Sequence, residues 1–181
     1  MIYVLLADGF EEMEAIAPID LLRRAGCDVV TVAVTPNKTV TGAHHIPFVA
    51  DITAQEVTFD GLQAVILPGG MPGTSNLDAS QTVHALIEYA VERQLVLGAI
   101  CAAPSVLGKK GILRGKRATC FPGFETVLHG ADVDMTALAV TDGQIVTARG
   151  AGAATEFGLS LVSLLVSPQT AQELREGIQC K

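Results

Sequence analysis

Short apolar runs, each bounded by turn-forming residues, recur along this chain. Runs of that kind, rich in Val, Ile and Leu, are typical of strands buried on both faces of a parallel sheet. The predicted strands span residues 2–7, 29–34, 62–67, 95–100 and 117–121. The pattern therefore indicates at least five strands that have few polar positions of their own.

Segments with helical spacing of apolar residues lie between these strands. The predicted helices span residues 11–25, 80–93, a stretch beginning near 102, 153–166 and 170–176. Ser80 is a suitable N-cap, and Gly26 ends the first helix. Pro18 predicts a late start or a kink in that first helix, because proline removes one backbone hydrogen bond.

Two segments depart from the alternation of strand and helix. Residues 39–51 combine turn residues with short apolar stretches, which predicts a hairpin or an irregular arm. Residues 137–148 carry Asp142-Gly143 between apolar runs, which predicts a second hairpin. The remaining pattern predicts an α/β fold with a mostly parallel sheet covered on both faces. No repeat or linker interrupts it, so we expect one domain over residues 1–181.

Composition narrows the classes of function. Hydrophobic residues make up 49% of the 181 positions and charged residues 17%, which argues against disorder. The net charge is −7 with 12 Lys and Arg and no basic stripe, so we expect no nucleic-acid partner. No apolar run is long enough for a bilayer and no signal-like segment opens the chain, so we expect a cytosolic protein. The four cysteines form no C-x-x-C pair, which disfavours a disulfide framework and a zinc site.

The segment around Cys101 is the strongest candidate for chemistry. A predicted strand leads straight into Cys101, and a predicted helix follows at once. Such a nucleophile elbow needs small neighbours, and Ala99 and Ala103 are small although they are not glycine. The helix N-terminus is expected to lower the pKa of the thiol, and the N–H of Ala102 to bind an oxyanion. The alternative is an inert structural cysteine, because free cysteine is often buried.

Two further segments follow predicted strands and therefore lie at the same edge of the sheet. The segment LPGGMPG, residues 67–73, has glycines whose N–H groups can point at a ligand. A plain turn is the alternative, and the segment lacks the Gly-Lys-Ser/Thr of a phosphate loop. The segment Arg149-Gly150-Ala151-Gly152 links a strand to a helix, and its glycines could serve turn geometry alone.

Three acids, Glu11, Glu12 and Glu14, open the first predicted helix. Acids at a helix start interact favourably with the helix dipole, and this explanation suffices for Glu11 and Glu12. Glu14 lies one turn into the helix, on a face that can turn toward the sheet edge. Beside a thiolate, burial and repulsion would raise the pKa of Glu14 and favour a protonated donor.

Together these segments resemble the DJ-1 branch of the ThiJ/PfpI superfamily over nearly the whole chain. The resemblance rests on GFEEMEA (9–15), LPGGMPG (67–73), AICAAPSVL (99–107) and TARGAGAATEFGL (147–159). It implies a flavodoxin-like three-layer α/β/α sandwich and a homodimer. Carried over by motif, it places the nucleophile at Cys101, the partner acid at Glu14 and backbone oxyanion donors at Gly70 and Ala102, with Gly69 in support.

The chain also departs from the pattern of that superfamily. Its protease-like and chaperone-like branches place a His after the nucleophile, whereas this chain has Ala102, which disfavours a Cys-His peptidase. The DJ-1 branch often has a His where this chain has Phe121. It often has an Arg on the arm after the second strand, where the nearest matches are His44 and His45. Each is expected either to be an exposed loop residue or to reach a site across a dimer interface. Cys120 lies close enough to the site for a resolving role to stay open.

The resemblance implies a cysteine-dependent enzyme that acts on α-oxoaldehydes such as methylglyoxal, or on their early glycation adducts. This glutathione-independent glyoxalase or deglycase chemistry needs no cofactor and no metal. The alternative is an oxidative-stress sensor or protective protein in which Cys101 is oxidised to sulfinic acid. A flavin-binding scaffold without catalysis is a third hypothesis, since flavodoxin-like folds host flavins. The segment at Gly69 and Gly70 lacks a phosphate-binding Ser/Thr cluster, which disfavours the third hypothesis.

Overall fold

The computed structural model describes residues 1–180. The strands are β1 Ile2–Leu6, β2 Val29–Ala33, β3 Thr39–Thr41, β4 Pro47–Val49, β5 Ile52–Thr53, β6 Ala64–Leu67, β7 Val96–Ile100, β8 Arg117–Ala118, β9 Asp132–Val133, β10 Ala139–Asp142 and β11 Ile145–Ala148. The α-helices are α1 Glu12–Arg24, α2 Gly73–Asp78, α3 Gln81–Glu92, α4 Pro104–Lys109, α5 Ala154–Leu165 and α6 Pro168–Gly177. None of the helices in this described part is long and apolar enough to cross a lipid bilayer.

The main sheet has seven strands in the order β10-β11-β7-β6-β1-β2-β5. All neighbouring pairs are parallel except the hairpin of β10 and β11. The two predicted hairpins are therefore confirmed, since β3 and β4 also pair in antiparallel fashion. The prediction of an α/β fold with a mostly parallel sheet is confirmed as well.

Helices cover both faces of the sheet. Successive side chains of a strand point to opposite faces, so each central strand packs against helices on both sides. Val4 of β1 packs in a buried cluster with Leu22 of α1 and Phe157 of α5. Its neighbour Leu5 packs in a second cluster on the other face with Leu86 of α3. The fold is thus a three-layer α/β/α sandwich with two apolar cores.

Some predicted boundaries are wrong for identifiable reasons. The helix predicted near residue 102 begins at Pro104, because residues 101–103 form a turn. Helix α1 starts at Glu12 and runs through Pro18, so the late start predicted from that proline is wrong. The strand predicted from residue 62 begins at Ala64. The short helix α2 was not predicted.

The strand predicted over residues 117–121 is also wrong beyond Ala118. Only Arg117–Ala118 is a strand, and it pairs with β9 outside the main sheet. Further along, the N–H of Thr119 donates to the Thr147 hydroxyl, and the N–H of Phe121 donates to the Cys101 carbonyl. These donors are used by separate contacts, so no continuous ladder forms.

The strand order determines where the candidate residues meet. Strand β1 lies in the centre, with β2 on one side and β6 and β7 on the other. The carboxyl ends of β1, β6 and β7 therefore lie side by side, and the loops that follow them carry the predicted site residues. Ligands in open α/β sheets bind at this edge, where the strand order reverses.

Candidate functional site

Cys101 forms a sharp turn directly after β7. Its φ of +64° lies in the left-handed region, which non-glycine residues seldom occupy. The N–H of Cys101 donates to the Ala148 carbonyl at 2.8 Å, and its carbonyl accepts from the N–H of Phe121 at 2.8 Å. These contacts hold the turn in place and leave the Cys101 residue partly exposed. The geometry is that of a nucleophile elbow.

The loop after β6 approaches the thiol closely. A Cβ on Gly69 would lie 2.6 Å from both the Cβ of Cys101 and Oε2 of Glu14. Gly70 has a φ of +88°, and a Cβ there would lie 2.5 Å from the backbone nitrogen of Glu11. Both positions therefore require glycine. This close approach lets the N–H of Gly70 donate to the sulfur, as the N–H of Ala102 also does, and both donors oppose the rise in the pKa of the thiol that burial causes.

Glu14 lies beside the thiol and is 1% exposed. Its Oε2 accepts a hydrogen bond from the N–H of Gly69 at 2.9 Å. Its Oε1 is buried and has no hydrogen-bond partner among residues 1–180. Burial raises the pKa of Glu14 to about 7, and the negative charge of Glu11 contributes. The predicted direction of this shift agrees with the geometry.

The sequence predicted a lowered pKa for the thiol of Cys101, whereas in the structure this pKa is raised when Glu14 is ionised. Burial raises the pKa of Cys101 to about 12, and the charge and hydrogen bonding of Glu14 add to the effect of burial. The N–H groups of Gly70 and Ala102 oppose this rise without overcoming it. The expected lowering by a helix N-terminus is absent because α4 is short and begins three residues after Cys101. Since the two groups disfavour double ionisation, they titrate as a pair.

His44 does not contact the thiol. Its backbone N–H donates to Oε1 of Glu12, and its Nδ1 lies 2.8 Å from Oε2 of the same carboxylate. This hydrogen bond raises the pKa of His44. The side chain of His44 is 69% exposed, whereas Glu12 is only 5% exposed. His45 is exposed in a left-handed turn beside it.

The sequence explained Glu12 only by its favourable interaction with the helix dipole. In the structure, the contacts of Glu12 with His44 also connect α1 to the β3–β4 hairpin. Glu11, Glu12 and His44 also place ligand atoms within 4.8 Å of one another, so these three could hold a metal ion. Within residues 1–180, the carboxylate of Glu12 and the ring of His44 already satisfy each other.

Cys120 is fully buried, and burial raises the pKa of its thiol to about 11, with a contribution from the charge of Glu125. That environment does not favour the thiolate that a resolving cysteine needs. Phe121, which follows it, is 47% exposed and lies against Gly150. Sequence reasoning treated Phe121 only as a missing imidazole, and it treated the segment at Gly150 as a turn. Both residues border the elbow.

Comparisons with known proteins find similar sequences and structures. Residues 1–164 match the sequence model of the DJ-1/PfpI family. The chain is 34% identical over 177 residues to Protein dj-1beta of Drosophila melanogaster, covering 97% of this chain and 94% of that protein. It is 35% identical over 170 residues to Protein DJ-1 homolog B of Arabidopsis thaliana, covering 93% of this chain but 39% of that longer protein.

A third relative has a name that describes an activity. Glutathione-independent glyoxalase DJR-1.2 of Caenorhabditis elegans is 33% identical over 167 residues, covering 91% of this chain and 87% of that protein. Among solved structures, oxidized Toxoplasma gondii DJ-1 superposes with a TM-score of 0.93 at 30% identity, covering 98% of this chain and 97% of that one.

Proposed function

Because the chain belongs to the DJ-1/PfpI family, we propose that it is a cysteine-dependent enzyme that acts on α-oxoaldehydes such as methylglyoxal or on their early glycation adducts. The observation that carries this proposal is the pairing of a partly exposed thiol with a buried carboxyl group. Cys101 sits on a left-handed elbow beside Glu14, and backbone N–H groups point at its sulfur. The C. elegans relative that is named a glutathione-independent glyoxalase supports the same chemistry.

The proton balance of the pair decides how the thiol is activated. The pKa of Glu14 is raised to about 7 and that of Cys101 to about 12, and each charge disfavours the other, so the pair keeps one proton between these values. The sulfur receives N–H donors from Gly70 and Ala102, whereas Oε1 of Glu14 has no partner among the described residues. A buried oxygen without a partner is costly when it is charged. We therefore assign the retained proton to Oε1 of Glu14 and the charge to the sulfur.

The chemistry begins with attack of the Cys101 thiolate on the aldehyde carbon, which forms a C–S bond. The carbonyl oxygen becomes an alkoxide, is stabilised by the N–H groups of Gly70 and Ala102, and takes the proton of Glu14. The product is a hemithioacetal and an ionised Glu14. Phe121 supplies no imidazole, so Glu14 carries the proton transfers alone.

The later steps reuse the same two side chains. The carboxylate of Glu14 removes the proton from the former aldehyde carbon and returns it to the adjacent carbon, while the hydroxyl proton passes from the first oxygen to the neighbouring ketone oxygen. This shift converts the hemithioacetal of methylglyoxal into a lactoyl thioester. Water then breaks the C–S bond, which releases lactate and restores the thiol of Cys101. With a glycated amine, the corresponding hydrolysis frees the amine.

Lactate release from methylglyoxal without glutathione tests the proposal. We expect Cys101→Ser to lower the rate by roughly 10³-fold or more, the scale of losing a nucleophile. Cys27→Ser is the matched control, because Cys27 is also a partly exposed free cysteine. Equal rates for the wild type and Cys101→Ser would reject the proposal.

A second function is favoured by the same N–H groups. One peroxide converts the Cys101 thiolate to a sulfenate with release of water, and a second peroxide converts the sulfenate to a sulfinate. The N–H groups of Gly70 and Ala102 and the proton on Glu14 are suited to bind sulfinate oxygens. The oxidized form of the T. gondii relative supports this candidate.

Intact mass after mild peroxide treatment tests that second function. We expect a gain of two oxygen atoms confined to Cys101, and no such gain in Cys101→Ser. Oxidation of Cys27, Cys120 or Cys180 while Cys101 stays unmodified would rule out the sensor function.

A further inference from the structure

Phe121 is an exposed aromatic side chain at the border of the candidate site. Its backbone N–H donates to the Cys101 carbonyl at 2.8 Å, so its main chain is fixed beside the elbow. Nearly half of its surface, 47%, is exposed to solvent. One exposed aromatic residue is ordinary on a protein surface, so the ring matters here because of its place beside Cys101.

The ring rests on the turn that follows β11. A Cβ on Gly150 would lie 3.3 Å from Cδ2 and 3.8 Å from Cε2 of Phe121. Gly150 is buried, and Ala148 two residues earlier accepts the N–H of Cys101. The ring is therefore held between the elbow and the β11–α5 turn, with one side covered and another open.

The sheet order places this ring opposite the polar groups of the site. Cys101 follows β7, Gly70 follows β6 and Glu14 follows β1, and these three strands are consecutive neighbours. Strand β11, which leads to Gly150, flanks β7 on the other side. In a hemithioacetal on the sulfur, the oxygen must face the N–H and carboxyl donors. The substituent of the substrate is then directed toward β11 and the open side of Phe121.

We propose that Phe121 is a specificity-determining residue that makes this site prefer α-oxoaldehydes with an aromatic or other large apolar substituent over methylglyoxal. This inference rests on the proposed function. A flat aryl group can stack on the ring or pack against its edge, whereas the single methyl group of methylglyoxal covers little of it. The expected preference is roughly tenfold in kcat/KM, the scale of one aromatic contact.

The experiment compares phenylglyoxal, assayed as mandelate, with methylglyoxal, assayed as lactate. Phe121→Ala is expected to lose about tenfold in kcat/KM for phenylglyoxal, mainly through KM, while methylglyoxal changes by less than about threefold. Phe121→Tyr keeps the ring and should keep the preference. Phe59→Ala is the matched control, because Phe59 is an exposed phenylalanine that packs on Tyr89 away from the elbow. Circular dichroism confirms that each variant folds.

The outcomes separate the two proposals. A preference that is lost in Phe121→Ala and kept in both Phe121→Tyr and Phe59→Ala supports the inference. Turnover of both aldehydes without a preference, or an equal loss on both in Phe121→Ala, overturns the specificity and leaves the proposed function standing. If the wild type consumes neither aldehyde faster than Cys101→Ser, the proposed function fails and the inference fails with it.

Discussion

The carboxyl group of Glu14 is costly to ionise where it lies. It is 1% exposed, and the nearby charge of Glu11 adds to the effect of burial on its pKa. Glu11 is also the N-cap of α1, since its Oε2 accepts the N–H of Glu14 at 2.8 Å. Glu11 thus positions Glu14 through this hydrogen bond, and its charge favours the protonated form of Glu14.

Glu11→Gln separates the two roles of this cap, because the amide oxygen can still accept the N–H of Glu14. Loss of the negative charge makes Glu14 easier to ionise, so the charge of the pair should shift from the sulfur toward Glu14 and thiolate formation should need a higher pH. Alkylation of Cys101 by iodoacetamide, followed across pH, measures this shift. Glu11→Ala should shift the profile in the same direction and also cost about 1 kcal/mol of stability, as expected for a lost N-cap. An unchanged profile in both variants would contradict the assigned coupling.

Residue types and their order predicted that the segments of Cys101, Glu14 and Gly70 share one edge of the sheet, and the family resemblance assigned these residues to one site. Each follows a predicted buried strand, and the carboxyl ends of parallel strands share one edge. The pair of Glu12 and His44 could not be predicted in this way. The two are 32 residues apart, and their contact depends on how the hairpin folds back on α1. The position of Phe121 beside the elbow was also missed, because this apolar residue was interpreted only as a lost imidazole.

The β3–β4 hairpin supports the loop that leads into α1. The N–H of Gly9 donates to the Thr41 carbonyl at 2.8 Å, and the N–H of Ala43 donates to the Phe10 carbonyl at 2.7 Å. The ion pair of His44 and Glu12 is a third contact between the hairpin and this part of the chain. Because Glu14 lies only two residues after Glu12, the hairpin helps to hold the acid in place.

The His44–Glu12 pair makes the contribution of this hairpin to the stability of the fold depend on pH. The pKa of His44 is raised by its hydrogen bond to Glu12, so its contribution is complete below the ordinary histidine value and is lost as pH rises through the raised value. Although burial opposes it, hydrogen bonding from His44 leaves the pKa of Glu12 lowered. Its contribution is therefore present above the ordinary carboxyl value and is lost only as pH falls through the lowered one.

Thermal unfolding of His44→Ala tests this dependence. The fall in Tm relative to the wild type should be larger near pH 6 than near pH 9, because only protonated His44 forms the ion pair. His45→Asn is the control, since Asn tolerates the left-handed backbone at that position. A deficit in His44→Ala that is equal at both pH values would show that the ion pair contributes nothing.

Helix and strand types were predicted more reliably than their ends. Apolar periodicity shows which segments are buried, but it does not show which N–H groups find partners elsewhere. The segment after Ala118 has the composition of a strand, yet its donors bond Thr147 and Cys101. Strand order was equally hidden, because it depends on how the helical crossovers pack and not on any single segment.

At the scale of the whole molecule, four large apolar side chains are exposed on two connected elements. Met13 and Ile16 lie on α1, and Ile46 and Val49 lie on the β3–β4 hairpin or its turn. The hairpin and α1 are joined by the contacts of His44 and Glu12 described above. A surface of this kind fits an interface between two copies of the chain, as the family resemblance implies.

Sedimentation velocity tests this expected homodimer. The wild type should have the mass of two chains, and Ile16→Glu should shift it toward the mass of one chain because the charge would be buried in the interface. Val91→Glu is the matched control, since Val91 is an equally exposed apolar residue on α3. A monomeric wild type, or an Ile16→Glu variant that dimerises as strongly as the wild type, would contradict this assignment of the interface.

The ultraviolet titration of the Cys101 thiolate, corrected with Cys101→Ser, tests the central claim that Glu14 holds the shared proton while the sulfur holds the charge. We predict that the wild-type thiolate forms below the ordinary cysteine value, because the shared proton stays on Glu14 while the N–H groups of Gly70 and Ala102 donate to the sulfur. In Glu14→Gln the step of thiolate formation should stay close to its wild-type position, because a neutral amide replaces a carboxyl group that already holds its proton. A wild-type thiolate that forms only well above the ordinary cysteine value of about 8.5, and at lower pH in Glu14→Gln, would show that an ionised Glu14 repels it.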